Sequence, residues 1–149
     1  MSNDTIPLHA HLGLEFDGFE AGSHRAVVRM PVAPPAFGFT GNLHGGAIAT
    51  MVDLACALAA AQATSFDAEQ ESLITADMHV RYLGRPTTST VVARAEIVRL
   101  GSQMIVVECR VLDEEDHLVA AADLSMMRVS RRRPLLGPDG EPAPDPSLT

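Results

Sequence analysis

Residues 43–64 read L-H-G-G-A-I-A-T-M-V-D-L-A-C-A-L-A-A-A-Q-A-T, an apolar segment in which Asp53 is the only charged side chain. A helix that is apolar on every face is a buried helix. Burying an ionised carboxylate is costly unless it is paired, so fold stability gives no reason to keep Asp53 there. We therefore interpret Asp53 as a functional carboxylate. The alternative is a buried acid that is bonded to a nearby backbone group or to an arginine.

The segment begins with the triplet His44-Gly45-Gly46. Two glycines leave backbone N–H groups uncovered at the positive end of the predicted helix, where the first-turn donors have no partner within the helix. Such an end can hold an oxyanion or a polarised carbonyl oxygen. Asp53 lies about 10–14 Å further along the axis, at 1.5 Å per residue. The donors and the carboxylate are too far apart to share one small substrate atom, so we predict that a second subunit brings them together.

Composition indicates one compact intracellular domain. The chain has 149 residues, 46% of them hydrophobic and 20% charged, which suits a single domain with a real core. Its net charge of −8 argues against nucleic acid as a partner, because phosphate binding needs a clustered basic face. Cys56 and Cys109 form no C-x-x-C pair and fall in apolar segments, so we expect buried thiols in a reducing compartment. The N-terminus lacks the basic and apolar regions of a signal peptide. Asp53 interrupts the apolar helix, so we expect a cytoplasmic protein with no membrane span.

Hydrophobic periodicity predicts an α+β domain over residues 1–133. The apolar helix is predicted over residues 44–63, after a short helical or irregular segment at residues 7–14. The predicted strands cover residues 14–19, 24–30, 73–83, 90–100, 104–112 and 118–129. One apolar helix with consecutive antiparallel strands packs most simply with the sheet wrapped around the helix, which is the hotdog fold. Residues 134–149 hold five of the ten prolines and are predicted to be a disordered tail.

The chain from residue 41 to residue 53 follows the pattern G-x-x-H-G-G-x-x-x-x-x-x-D. This pattern resembles the signature of the PaaI-type hotdog-fold acyl-CoA thioesterases. The stretch T-A-D-M-H-V-R-Y-L at residues 75–83 resembles the second core strand of that family, and Gly101-Ser102 lies where its last hairpins fall. The resemblance covers about residues 10 to 130. It departs at Gly38, where many relatives carry Asn or Gln six residues before the histidine.

The resemblance implies hydrolysis of an acyl-CoA thioester, in which coenzyme A belongs to the substrate and no metal or separate cofactor takes part. It implies that the Gly46 N–H polarises the thioester carbonyl and that Asp53 of the neighbouring subunit attacks as a nucleophile or activates water as a general base. Thr75 would hold the water or the carboxylate, and His44 would shape the helix start. The implied acyl group is aryl, arylacetyl or medium-chain, and the implied assembly is a homodimer that pairs into a homotetramer.

Substrate contacts are expected from the loops beside the helix start and between strands. Phe37 and Phe39 lie in the loop before the helix, where they could close over an acyl chain or equally staple the loop to the core. Arg85 is one of the arginines that the coenzyme A phosphates would require. Further candidate arginines are Arg99, Arg128 and residues 131–133. For the triple arginine at 131–133 the alternative is a soluble strand end that starts a loose tail. The candidate substrate-binding residues are Gly45, Asn42, Phe39, Arg85, Gly101 and Ser102.

Other interpretations stay open at this point. Thr75, Asp77, His79 and Arg81 recur at period 2, which predicts a polar strand face that is solvated or lies at an interface. A hotdog acyl-CoA hydratase or dehydratase would use His44 with an acid, and a non-catalytic acyl-CoA-binding module would sense the ligand and pass the signal to a partner. The chain has no G-x-S-x-G motif, which argues against a serine hydrolase.

Overall fold

The computed structural model describes residues 6–65, 67–131 and 140–141 of the chain. It confirms the predicted α+β hotdog fold, since one antiparallel sheet of six strands packs around one long helix. The elements in chain order are α1 (Pro7–Leu12), β1 (Glu15–Phe19), β2 (Ala26–Pro31), a short 3-10 turn (Pro34–Ala36), α2 (Gly45–Thr64), β3 (Glu71–Tyr82), β4 (Thr90–Leu100), β5 (Met104–Asp113) and β6 (Leu118–Ser130). Except for Gly140 and Glu141, the predicted tail lies outside the described residues.

Helix α2 begins and ends within one residue of its predicted limits. His44 is the N-cap, and Ser65 ends the helix in the left-handed conformation with a φ of 46°. One side of the helix packs on the sheet through Ala47, Ile48, Met51, Val52, Ala55, Cys56, Ala59 and Ala60. By length and hydropathy alone α2 could cross a membrane, but here it is the core helix of the domain.

The opposite side of α2 corrects one expectation. Asp53, Leu54 and Ala57 are only half-buried in the single chain, so the helix is not buried on every face. The Asp53 carboxylate therefore does not sit unpaired in a dry core. The apolar composition of this side still calls for a cover, because exposed contiguous apolar surface usually marks an interaction site.

The sheet has the strand order β1-β2-β4-β5-β6-β3, so β3 is an edge strand although it is twelve residues long. Its central residues are exposed, including Ile74 at 48% and Met78 at 37%. A long exposed edge presents a row of unpaired N–H and C=O groups that another strand can join. This edge borders the half-buried side of α2, with which β3 makes its helix contacts.

A bulge in β3 changes the predicted pattern of faces. Thr75 pairs with Met126, whereas Asp77 pairs with Ser125, so Ala76 is the extra residue. Because side chains alternate between faces, one extra residue reverses the alternation. Thr75 consequently faces α2, while Asp77 and the residues after it at period 2 face the outside of the sheet. The prediction that Thr75 shares a face with Asp77, His79 and Arg81 is therefore wrong.

The core between α2 and the sheet contains both cysteines. Cys56 on α2 and Cys109 on β5 are buried and free, as expected. The neighbouring Cys109 thiol and burial both raise the pKa of Cys56, which keeps it protonated and unreactive.

Candidate active site

The Asp53 carboxylate is held by a residue from the edge strand. The Thr75 hydroxyl donates to Asp53 Oδ1 at 2.7 Å, across a sequence separation of 22 residues. Asp53 Oδ2 has no hydrogen-bond partner within residues 6–65 and 67–131. The structure thus brings two predicted site residues together and leaves the second carboxylate oxygen without a hydrogen-bond partner in the described ranges.

At the N-terminus of α2, the side chain of the N-cap residue His44 occupies one of the free backbone donors. Gly46 N–H donates to His44 Nδ1 at 2.8 Å. Since Nδ1 accepts this bond, the proton of the neutral ring lies on Nε2 of the exposed His44 side chain. A Cβ at position 46 would lie 2.9 Å from Nδ1, so only glycine leaves room for this arrangement. Gly45 N–H has no acceptor in the described part of the chain.

A cleft opens beside Gly45, and Tyr82 forms one wall. The Tyr82 hydroxyl donates to the Gly45 carbonyl at 2.9 Å. The cleft has a volume of about 190 Å³, and its lining includes the predicted residues Asn42, Gly45 and Arg85 together with Tyr82 and Ile48. No sequence motif predicts a role for Tyr82. The available signal was that the only tyrosine of the chain ends a strand just before the Gly84-Arg85-Pro86 turn.

The segment that carries Arg85 is anchored by a buried carboxylate. Asp113 is 2% exposed and accepts hydrogen bonds from the Thr87 N–H and hydroxyl, both at 2.8 Å, and from the His117 N–H at 3.0 Å. Burial by itself would raise the pKa of the Asp113 carboxyl, but the donors of Thr87 and His117 hold that pKa well below its ordinary value. The ionised carboxylate therefore fixes Thr87, two residues from Arg85.

Not all predicted residues meet in one chain. Phe39 is fully exposed at the tip of its loop, and the Asn42 amide donates to Thr40 Oγ1 at 3.1 Å. Gly101 and Ser102 line a separate groove of about 320 Å³ between β4 and β5. Strand register places that groove at the opposite end of the sheet from Tyr82.

The candidate arginines differ in whether their guanidinium groups are already paired within the chain. Arg128 makes a bidentate ion pair with Glu71, with both N–O distances at 2.8 Å. Arg131 donates to the Ala68 carbonyl, and residues 132–133 lie outside the described residues. Arg85 and Arg99 have no ion-pair partner in the described ranges, so each has a free guanidinium.

Separation along α2 agrees with the estimate from sequence. Gly46 and Asp53 lie in one uninterrupted helix, about 10 Å apart along its axis. One chain therefore presents a donor-rich helix start with a cleft and, two turns away, a positioned carboxylate. Neither half is close enough to the other to act on the same carbonyl carbon.

Comparison with known proteins bears on what this arrangement does. The family model of the thioesterase superfamily matches residues 40–120, more than half of the chain. No curated protein sequence matches the chain significantly. A thioesterase from Haemophilus influenzae has the same fold, with 24% identity over 82% of each chain and a TM-score of 0.73.

Two further solved structures are similar. A Bacillus halodurans protein, determined with CoA, is 26% identical over 84% of this chain and 77% of its own, with a TM-score of 0.72. A thioesterase family protein from Silicibacter pomeroyi is 24% identical over 85% of this chain and 91% of its own, with a TM-score of 0.71. The residues matched by the family model include the N-cap His44, the whole of α2 and strand β3, which carries Thr75. This chain belongs to the thioesterase superfamily and is a thioester hydrolase.

Proposed function

We propose that this chain is a cytoplasmic, PaaI-type acyl-CoA thioesterase that releases the free acid and coenzyme A. The observation that carries the proposal is the Asp53 carboxylate, held by Thr75 at 2.7 Å with its second oxygen unpaired in the described ranges, on a helix that starts with His44-Gly45-Gly46. The similar Bacillus halodurans protein was determined with CoA, which supports coenzyme A as the carrier. The reaction needs no cofactor apart from the coenzyme A of the substrate.

The helix start is proposed to hold the thioester oxygen. Gly45 N–H is free of an acceptor in the described residues, and Gly46 N–H becomes free when the His44 ring turns away. That rotation costs about one hydrogen bond, or ~0.5–1.5 kcal/mol, because the ring is exposed. Backbone N–H groups at a helix N-terminus then stabilise the charge that develops on the oxygen.

The carboxylate is proposed to come from the partner subunit. Edge strand β3 would pair with β3 of the second copy and cover the half-buried side of α2, which places Asp53 of the partner subunit near the first copy's helix start. Asp53 Oδ2 would take a proton from water while the hydroxide adds to the carbonyl carbon. Collapse of the tetrahedral intermediate expels the coenzyme A thiolate. Direct attack by Oδ2, followed by hydrolysis of the anhydride, gives the same products.

The cleft beside Gly45 is proposed to hold part of the coenzyme A. Its lining combines the Tyr82 ring with the free Arg85 guanidinium, which suits a chain that ends in phosphates. Gly101 and Ser102 would contribute from the partner subunit. Aryl, arylacetyl and medium-chain acyl groups all suit the apolar side of α2, and two such dimers would form a homotetramer.

Release of free thiol from a panel of aromatic and aliphatic acyl-CoA esters tests this proposal. The enzymes to compare are the wild type, Asp53→Asn and the control Glu69→Gln, which alters an exposed carboxylate in a turn. We expect the control to match the wild type and kcat of Asp53→Asn to fall by about 10²-fold or more, the typical worth of a general base.

Two results would count against the proposal. If the folded Asp53→Asn variant keeps wild-type kcat, Asp53 has no catalytic role. If the wild type binds the esters but cleaves none of them, a hydratase or a non-catalytic acyl-CoA-binding module becomes the better interpretation. Folding of each variant is checked by circular dichroism.

A further inference from the structure

The two oxygens of the buried Asp113 carboxylate serve different parts of the chain. Oδ1 accepts hydrogen bonds from the Glu115 N–H at 2.9 Å and the His117 N–H at 3.0 Å, both within the β5–β6 turn. Bonds of an aspartate to the backbone a few residues further on are a usual way to fix a turn. Oδ2 instead accepts from the Thr87 N–H and hydroxyl of the β3–β4 loop, both at 2.8 Å.

The bonds to Oδ2 exceed what the turn requires. His117 Nδ1 lies 3.1 Å from Oδ2 and 3.0 Å from the Thr87 hydroxyl oxygen, so three side chains meet at this point. A buried carboxylate is costly unless donors surround it, whereas an exposed aspartate or asparagine could fix the turn through one oxygen alone. The burial of Asp113 therefore calls for a reason outside its own turn.

The segment that Oδ2 holds carries Arg85, and its other end is fixed as well. The Gly84 N–H donates to the Val119 carbonyl at 3.1 Å. A Cβ at position 84 would lie 2.6 Å from the Leu118 carbonyl oxygen, so only glycine lets the two backbones approach this closely. The bond to Val119 before Arg85 and the bonds of Thr87 after it attach both flanks of the arginine to the β5–β6 region.

Arg85 itself is the free part of this arrangement. Its side chain is exposed, has no ion-pair partner in the described ranges and lines the cleft beside Gly45 and Tyr82. Binding a ligand costs conformational entropy for every group that becomes ordered. Because the backbone around Arg85 is already fixed, only its side chain has freedom to lose. A planar guanidinium presented in this way suits a phosphate.

We propose that Asp113 is a positioning residue for substrate recognition, which acts through Thr87 to hold Arg85 where it binds a phosphate of the coenzyme A carrier. The inference rests on the proposed function, because it takes coenzyme A as the carrier. Arg85 contacts the carrier, and Asp113 affects binding only through Arg85. Preference for a phosphorylated carrier over one without phosphates then depends on a carboxylate buried in a neighbouring turn.

Exchange of the carrier tests the proposal. The acyl group that the wild type turns over best is presented on coenzyme A and on pantetheine, which lacks every phosphate. The variants are Arg85→Gln, Thr87→Val and Asp113→Asn, and Thr87→Ser is the conservative variant that keeps the hydroxyl. The control Asp116→Asn makes the same chemical change at an exposed position of the same turn, with a φ of 62° that asparagine tolerates. Thiol release gives KM and kcat, calorimetry gives the Kd of coenzyme A, and circular dichroism checks folding.

We expect Arg85→Gln to raise KM for the coenzyme A ester about tenfold, and Thr87→Val and Asp113→Asn to raise it about threefold, with kcat unchanged. Asparagine keeps Oδ1 but places an NH₂ group against the Thr87 N–H, whereas valine removes only the hydroxyl. KM for the pantetheine ester should stay the same in all three. Thr87→Ser and Asp116→Asn should match the wild type. Thr87→Val added to Arg85→Gln should raise KM no further, because Thr87 acts through Arg85.

An equal rise in KM for both carriers, or a further rise in the double variant, would overturn the proposal, since a purely structural role predicts these results. Unchanged KM in the folded Thr87→Val variant would also overturn it, and this variant tests the link even if Asp113→Asn does not fold. If the wild type cleaves neither ester, the proposed function fails, and the Kd of coenzyme A still tests the positioning role. Binding about threefold weaker in Thr87→Val would support that role, and unchanged binding would overturn it.

Discussion

Replacing Thr75 with valine should lower kcat about tenfold and leave KM unchanged. Valine keeps the shape of threonine but removes the hydroxyl that donates to Asp53 Oδ1 at 2.7 Å. A hydrogen bond to a charged group is worth about 1.5–3 kcal/mol, and exposure of Thr75 places this one at the lower end. Because ~1.4 kcal/mol corresponds to tenfold in rate, the expected loss follows directly. Thr75 holds the carboxylate rather than the substrate, so ground-state binding is spared.

Steady-state thiol release with the best substrate of the panel measures this effect, and Thr75→Ser is the matched variant. Serine retains the donor, so its kcat should stay within about twofold of wild type, a difference of ~0.4 kcal/mol. The serine variant should keep its stability to within ~0.5 kcal/mol, whereas valine, which removes the hydrogen bond to Asp53, should lower it by about 1.5 kcal/mol. The reasoning is refuted if valine preserves kcat, or if serine loses as much activity as valine does.

Three further outcomes are expected. Met51→Ala should lower the free energy of unfolding in urea by about 2–5 kcal/mol, because the side chain is fully buried between α2 and the sheet. Asp113→Asn should lower the free energy of unfolding at pH 7 and make that free energy fall less steeply in acid. The folded-state pKa of Asp113 is lowered, so the wild-type carboxylate stabilises the fold above its unfolded pKa of about 4. This stabilisation is lost as the pH falls further toward the folded-state pKa. Thermal melts of both proteins at pH 7 and in acid show whether the two curves converge. Tyr82→Phe should raise KM about threefold, or ~0.7 kcal/mol of substrate binding, with kcat nearly unchanged, because the ring loses the bond to the Gly45 carbonyl that fixes it as a wall of the cleft. An unaltered KM would remove Tyr82 from the binding cleft.

The elements of the fold could be predicted because their signals are local. The glycines at the head of an apolar run that only Asp53 interrupts place the start of α2, and alternation with turn residues places the strands, mostly to within a residue or two. The edge position of β3 could not be predicted, because side chains alternate between the two faces in edge strands and inner strands alike. Only the strand order shows that β3 has a free side.

The site was harder to predict for physical reasons. The hydrophobicity of α2 predicted that Asp53 lies in a helix buried on every face. One side of α2 is instead only half-buried in the single chain, and amino-acid composition cannot show which side of a helix lacks a cover. The hydrogen bond from Gly46 to His44 depends on one side-chain rotamer, and the cleft wall depends on Tyr82 meeting Gly45 across 37 residues of sequence. The bulge at Ala76 turns Thr75 toward α2, and no turn residue marks it.

The two edges of the sheet have unequal capacity for growth. β1 is five residues long, its register shifts between Phe16 and Gly18, and Asp17 is tied to Arg29 by an ion pair of 2.7 Å. Short, bulged and charged edges resist the addition of another strand. If β3 pairs with β3 of a second copy, as proposed, both receptive edges are consumed in one event and only β1 edges remain outside. Polymerisation by strand addition would then end at two chains, so this protein should stay free of fibres even at high concentration.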